Sequence, residues 1–464
     1  MKPEKLSEAI GNIDDGMIEE AGSKRTKRKR RPLWISIAAA AACLAVTAGV
    51  VLTNLNGTGI RAAASPEYPQ MAHYPDVYGN GYDEWRASRI AQLSAPEGYA
   101  DGLRGFYAES TREFLSGDTE NRVYSPLNLY MALALLAETA SGESRGQILS
   151  LLGSDSIEAL REQAGRLWNA NYCNDGAITS VLANSVWLAD GLDFRRDTAG
   201  TLAKNYFASV YQAEFGTDRT NSAIGKWIDQ QTGGFLKEST GSISTSPDTL
   251  FALYSTVYFR AKWRLAINKS DAVQKEFHAA DGDVTAEFMN ASDYADYFWG
   301  ENYSASRLKF KTGCEMYFIL PDEDSSIDEV LSSEDFPGML CGEFVNSRNI
   351  RVNYSIPKFD ISSTTDLNDG MKALGITDVF APASADFSEF IDDDAYLDAA
   401  RQTARVSIDE EGCTAASFVE MAMNGSGAPP ENADEVDFTL DRPFIFVITG
   451  MDGQPLFTGT VYQP

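Results

Sequence analysis

From about residue 98 to its end, the chain carries two hydrophobic rhythms. "LRGFYAESTREFL" (103–115) repeats apolar residues at three- and four-residue spacing, which predicts an amphipathic helix. "SPLNLYMALALLAETA" (125–140) is apolar almost all round, with Ser125 as N-cap and Pro126 as first helical residue. "SVLANSVWLA" (180–189) predicts a strand, and "SAIGKWIDQQTGGFL" (222–236) a helix stopped by Gly233 and Gly234. "TLFALYSTVYFRAKW" (249–263) is apolar on both faces, which predicts a strand at a sheet centre. Further strands come at 306–311, 314–321 and 349–359, and residues 442–464 read as a hairpin turning at Asp452 and Gly453. Helices dominate early and strands late, without regular βαβ alternation, so the fold class is α+β.

The N-terminus has a different pattern. The basic run "KRTKRKRR" ends at Arg31, and no charge recurs until Arg61. Residues 32–54 are long and apolar enough for a transmembrane signal-anchor, which takes about twenty residues. Basic residues before the span predict a cytoplasmic segment over 1–31 and an exterior location for the chain beyond residue 54. Cleavage near "RAAA" (61–64), which would release a secreted form, is the alternative. Residues 55–97 have prolines, glycines and tyrosines but no period, and read as an extracellular linker to a domain over 98–464.

Composition narrows the function. With 44% hydrophobic and 23% charged residues the chain has ample core material, and its formal net charge is −28. Residues 1–31 hold 9 Lys/Arg and 6 Asp/Glu, so the body is more acidic than the whole and is unsuited to nucleic acid. Five scattered cysteines include no CxxC, which excludes a zinc framework. His73 and His278 are the only histidines, too few and ill-placed for a triad. No Gly-rich phosphate loop occurs, and "DEDSSIDEV" (322–330) lacks the glycine of a calcium loop at its sixth position. No enzyme chemistry, metal or cofactor is expected.

One stretch stands out. "DEEGCTAASFVEM" (409–421) comes after a strand-like run and leads into a loop-like "NGSGAPPENADE". Read as a strand, one face would carry Cys413, Ala415, Ser417 and Val419, all small or apolar, and Gly412 would free the backbone before them. Such a segment is suited to enter an existing sheet. A helix start or a plain alanine-rich loop fits the same residues.

The neighbouring motifs resemble those of the serpin family, in the family's order, over about 98–464. They are "NRVYSPLNLYMALALLAETASGESRGQI", "ANSVWL", "IGKWIDQQTGGFL", "VYFRAKW", "IPKFDISSTTDLNDGMKALGITDVFAPASADFS", "DEEGCTAAS", "LDRPFIFVI" and "PLFTGTVYQP". The resemblance implies three β-sheets, eight or nine helices and an exposed reactive-centre loop. It implies an inhibitor rather than an enzyme: a monomeric suicide substrate for a serine (or cysteine) protease, whose cut loop inserts into the central sheet. A non-inhibitory serpin acting as a surface binding module is the alternative.

Carried over residue by residue, the resemblance makes Glu410, Glu411, Gly412, Cys413, Thr414, Ala415, Ala416 and Ser417 the hinge. Cys413 stands where the family has Thr, Ser or Val. The usual spacing puts the scissile bond at Ser426–Gly427, within a window of 423–428. The stretch from Gly412 to Pro443 is about six residues longer than usual, an excess assigned to the part beyond the cut. No Lys or Arg lies between Arg405 and Arg442, so the expected target is elastase- or subtilisin-like. Ser125, Asn184, Trp263 and Gln402 are the expected sheet-opening residues. Gln402 and Ser255 replace the family's usual His and Asn. The basic-then-apolar start on an acidic domain points to a bacterial cell surface.

Overall fold

The computed structural model describes residues 60–75, 81–96, 98–236, 243–311, 313–392, 394–397, 400–413 and 434–464. The segments 1–31 and 32–54, hinge residues Thr414, Ala415, Ala416 and Ser417, and the bond Ser426–Gly427 lie outside the described residues. Among the described residues no helix is long and apolar enough to cross a membrane.

Along the chain come β1 (Arg61–Ala64), α1 (Tyr82–Gln92), α2 (Arg104–Leu115), β2 (Arg122–Tyr124), α3 (Pro126–Thr139), α4 (Gly142–Leu151) and α5 (Ile157–Asn171). Next are β3 (Cys173–Asn174), β4 (Ile178–Ala189), α6 (Arg196–Asn205), β5 (Ala208–Ala213), α7 (Asp218–Gln231) and β6 (Phe251–Lys262). After these lie β7 (Val273–Ala279), β8 (Gly282–Trp299), β9 (Tyr303–Lys309), β10 (Glu315–Pro321), α8 (Ile327–Ser332), α9 (Phe336–Met339) and β11 (Asn346–Pro357). The chain closes with β12 (Phe359–Asp366), α10 (Asn368–Ala373), β13 (Arg401–Asp409), β14 (Gly412–Cys413), β15 (Glu435–Thr439), β16 (Phe444–Thr449) and β17 (Pro455–Val461).

One sheet runs β1-β5-β4-β6-β14-β13-β12, with β3 beside β4. The other runs β15-β11-β8-β9-β10-β16-β17-β2, with β7 beside β8. The 18-residue β8 pairs with β7 along one half and with β11 and β9 along the other, so two of the three expected sheets join through it. The described helices number ten rather than eight or nine. The four-residue α9 and the N-terminal α1 are among them, and neither has a strong period.

Helix α3 holds the two sheets together. It packs against β6 on one side and β17 on the other, and only Ala132 of its fourteen residues is not buried. A helix apolar all round can only be central. Each fully buried leucine contributes about 1.5–3 kcal/mol. Ser125 Oγ accepts from Asn128 N at 3.2 Å and Pro126 opens the helix, as their types predicted. "DEDSSIDEV" is a capping box: Ser326 and Glu329 satisfy each other's backbone N–H groups at the start of α8.

Residues 60–75 and 81–96, within the stretch read as a linker, dock onto the body of the domain. β1 adds an edge strand to β5, and Tyr68 enters an aromatic cluster with Trp168, Tyr172 and Phe207. Trp85 of α1 donates Nε1–H to Asp175 at 3.0 Å. This segment's order comes from docking against distant residues, so no local period announces it. The C-terminal hairpin forms as expected, but five residues, 450–454, connect β16 and β17.

Candidate functional site

Strand β13 ends at Asp409, and the "DEEG" run turns the chain back beside it. Asp409 Oδ1 accepts from Glu411 N at 2.8 Å and from Gly412 N at 3.3 Å, which closes the turn. The returning residues form β14, antiparallel to both neighbours. Gly412 pairs with Lys262 and Asp409, and Cys413 with Ala261 and Ile408. Among the described residues β6 and β13 share no ladder of their own, and β14 sits between them.

Position 412 admits only glycine. A Cβ there would lie 2.1 Å from the Ala261 carbonyl oxygen. Cys413 is buried and shares its inward face with Ala261 and Ile408, also buried. Trp263 stands at this end of the sheet. Its Nε1–H donates to Asp409 O at 2.8 Å, its backbone N–H to Glu411 O at 3.2 Å, and its ring stacks on Phe310 at 4.5 Å.

Glu410 and Glu411 differ in environment. The Glu410 side chain is only 3% exposed and lies 2.6 Å from Lys358 Nζ, which also reaches Glu287 at 2.9 Å. Burial opposes the Lys358 charge, but its hydrogen bonds to Glu410 and Glu287 outweigh this and raise its pKa above the ordinary value. Glu411 pairs with the exposed Lys269 at 2.8 Å, an ion pair of little energetic weight.

A polar network crosses beneath the sheet. Gln402 accepts from Ser125 N at 2.7 Å and donates to Ser125 O at 3.0 Å. Ser125 Oγ donates to Leu456 O at 2.5 Å and caps α3 through Asn128. Ser255 Oγ donates to Asn184 Oδ1 at 2.6 Å and also bonds Asn128 Oδ1, while Asn184 Nδ2 donates to Tyr206 O at 3.2 Å. Asn128, Leu133, Leu253, Ser255 and Gln402 line a cavity of about 40 Å³ here. The structure thus brings Ser125, Asn184 and Gln402 into one network and places Trp263 beside β14 instead, against Asp409 and Glu411. The two substituted positions, Ser255 and Gln402, both keep their hydrogen bonds. Gln402→Ala leaves the backbone N–H of buried Ser125 unpaired, while its carbonyl still accepts from Leu129 N at 3.2 Å, and is expected to cost about 2 kcal/mol in urea unfolding.

Asn128, Asp409 and Lys358 escaped sequence reasoning. Asn128 lies within an apolar helix, and the Lys358 partner is more than fifty residues away in sequence. Histidine chemistry does not assemble among the described residues. His73 Nδ1 lies 2.7 Å from Tyr74 O. His278 pairs with Asp283 on the exposed β7–β8 hairpin beside Glu276, and that hydrogen bond raises its pKa. Cys173, Cys314, Cys341 and Cys413 are unbridged.

A mixed α+β body of two large sheets, with the two-residue β14 entering the middle of one, defines a recognisable class of molecule. The family model described as "Serpin (serine protease inhibitor)" matches residues 104–464, and the chain belongs to the serpin family, a family of protease inhibitors in general rather than of enzymes. The chain is 28% identical over 369 residues to Serpin-ZXA of Oryza sativa subsp. japonica, covering 75% of this chain and 91% of that one. It is similar to the crystal structure of the thermophilic serpin tengpin in the native state, with 27% identity, a TM-score of 0.70, and coverage of 80% and 95%. The latent state of the same relative matches with a TM-score of 0.68 at 27% identity, covering 79% and 98%.

Proposed function

We propose that this chain is a suicide-substrate inhibitor of an elastase- or subtilisin-like serine protease, anchored in a cell membrane through residues 32–54 with its inhibitory domain outside. The observation that carries the reading is β14, two hinge residues paired on both sides within the central sheet. Continuing its register would pair residue 419 with Ser255 on one side and Gln402 on the other, at the level of the polar network. Cys413, Ala415, Ser417 and Val419 would then face the core, where small side chains need little new volume.

The chemistry is supplied by the protease. Its serine attacks the Ser426 carbonyl, the Ser426–Gly427 bond breaks, the new amine takes a proton from the protease, and an ester links the two proteins. Insertion of the cut loop then withdraws that ester before water reaches it. The family is a standard example of a switch that releases stored strain.

The test mixes the full chain with an elastase-type and a subtilisin-type protease. An SDS-stable complex is expected, with a released fragment whose mass places the cut at 426–427. A cut outside 421–430 would refute the register. Cleavage without a complex, and without a rise in melting temperature, would favour a non-inhibitory surface module.

A further inference from the structure

The ends of β6 and β9 place like charges against each other. Trp263 and Phe310 form an antiparallel bridge with their rings stacked inward. Arg264 N donates to Lys309 O at 2.8 Å, and Lys311 N to Lys262 O at 3.0 Å. Lys262 therefore lies opposite Lys311 and Arg264 opposite Lys309, all four on the face away from the stacked rings. Like charges directly opposite across strands are destabilising.

Local carboxylates offset this only in part. Lys309 pairs with Glu315 at 3.5 Å, and Arg307, next on the same face of β9, is held by Glu315 and Asp296. Asp293 and Asp296 line a shallow polar depression with Arg264, Arg307 and Lys309. Arg264 and Lys311 have no ion-pair partner among the described residues, and Arg264 is exposed. The strip also adjoins the hinge: Lys262 pairs with Gly412 in the sheet, and the Trp263 backbone bonds Glu411.

We propose that this basic strip is an exosite for the target protease, recognising an acidic surface beside the protease active site. The inference rests on the inhibitory reading, because the loop that engages the protease begins at the strip. Without the strip, the acidic body would repel an acidic protease during encounter. The unpaired cations of the strip weaken that repulsion where contact is made and accelerate association by about tenfold at low salt.

The test separates encounter from trapping. A subtilisin-type protease with an acidic surface and an elastase-type protease with a basic surface are each prepared with the nucleophilic serine replaced by alanine. Their binding to full-length chain in mild detergent is measured from about 20 to 500 mM salt, screening exposed charges to within a few ångströms at the upper end. Wild type should bind the acidic protease with an association rate falling about tenfold across this range. The double variant Arg264→Glu/Lys311→Glu should lose about tenfold at low salt against the acidic protease and none against the basic one. Arg264→Gln/Lys311→Gln should fall between, with an unchanged melting temperature showing that the fold is intact. Equal rates for all three chains would overturn the exosite, and so would a polyanion such as polyphosphate occupying the strip without slowing the protease. Salt-dependent binding without a covalent complex from the active protease would leave the exosite standing and overturn the trapping reading alone.

Discussion

Arginine in place of Cys413 is expected to turn the protein from a trap into an ordinary substrate. Cys413 is already 2% exposed and faces inward between Ala261 and Ile408, so an arginine there should be expelled from the sheet in the uncut protein, and insertion would then have to bury it. An unpaired guanidinium in that position costs several kcal/mol. Each ~1.4 kcal/mol slows insertion about tenfold relative to hydrolysis of the ester. The partition should therefore move by about a hundredfold or more toward cleaved inhibitor and free, active protease. Gel densitometry of SDS-stable complex against cleaved chain reads this directly. Cys413→Ser, small and uncharged, should still form complex. An undiminished complex yield with arginine would show that residue 413 is not part of the inserting strand.

Loss of Lys358 is expected to have the largest effect on stability. Lys358→Met removes the cation 2.6 Å from a glutamate whose side chain is 3% exposed. Breaking a buried pair from one side leaves an uncompensated charge and costs about 3 kcal/mol. Glu410→Gln in the same chain should restore most of the loss, because no charge then remains to be compensated. Urea unfolding midpoints of wild type, single and double variants measure this, and an equally unstable double variant would show that Lys358 acts through packing alone. The pH dependence has a definite sign. The folded-state pKa of Lys358 is raised above 10.5, so its contribution is complete below that value and is lost as pH rises through the folded value. Wild type and Lys358→Met should therefore converge at strongly alkaline pH, with no such convergence on mild acidification.

Much of the fold was legible because it repeats locally. The period of 125–140 and its Ser-Pro start specify α3, and the doubly apolar 249–263 specifies a central strand. The run of small residues after acids and a glycine was legible, and its first two members, Gly412 and Cys413, form β14. The docking of residues 60–75 and 81–96 was not, because Tyr68, Trp85 and the β1 edge draw their order from Trp168, Asp175 and β5. The polar network was half legible. Ser125, Asn184 and Gln402 stood in recognisable motifs, whereas Asn128 and the bridging role of Ser255 depend on a helix and a strand meeting face to face.

The sequence by itself determined the strongly periodic elements, the family, the run of small residues after Gly412 and the absence of a basic residue between Arg405 and Arg442. These come from local chemistry: side-chain period, caps, glycine and charge. Only the tertiary structure decided that Gly412 and Cys413 already lie between β6 and β13, that Glu410 is buried against Lys358, and that four cations oppose each other beside the hinge. Each of these depends on which strand lies next to which, and residues distant in sequence acquire their charge neighbours and their burial only when the sheets assemble.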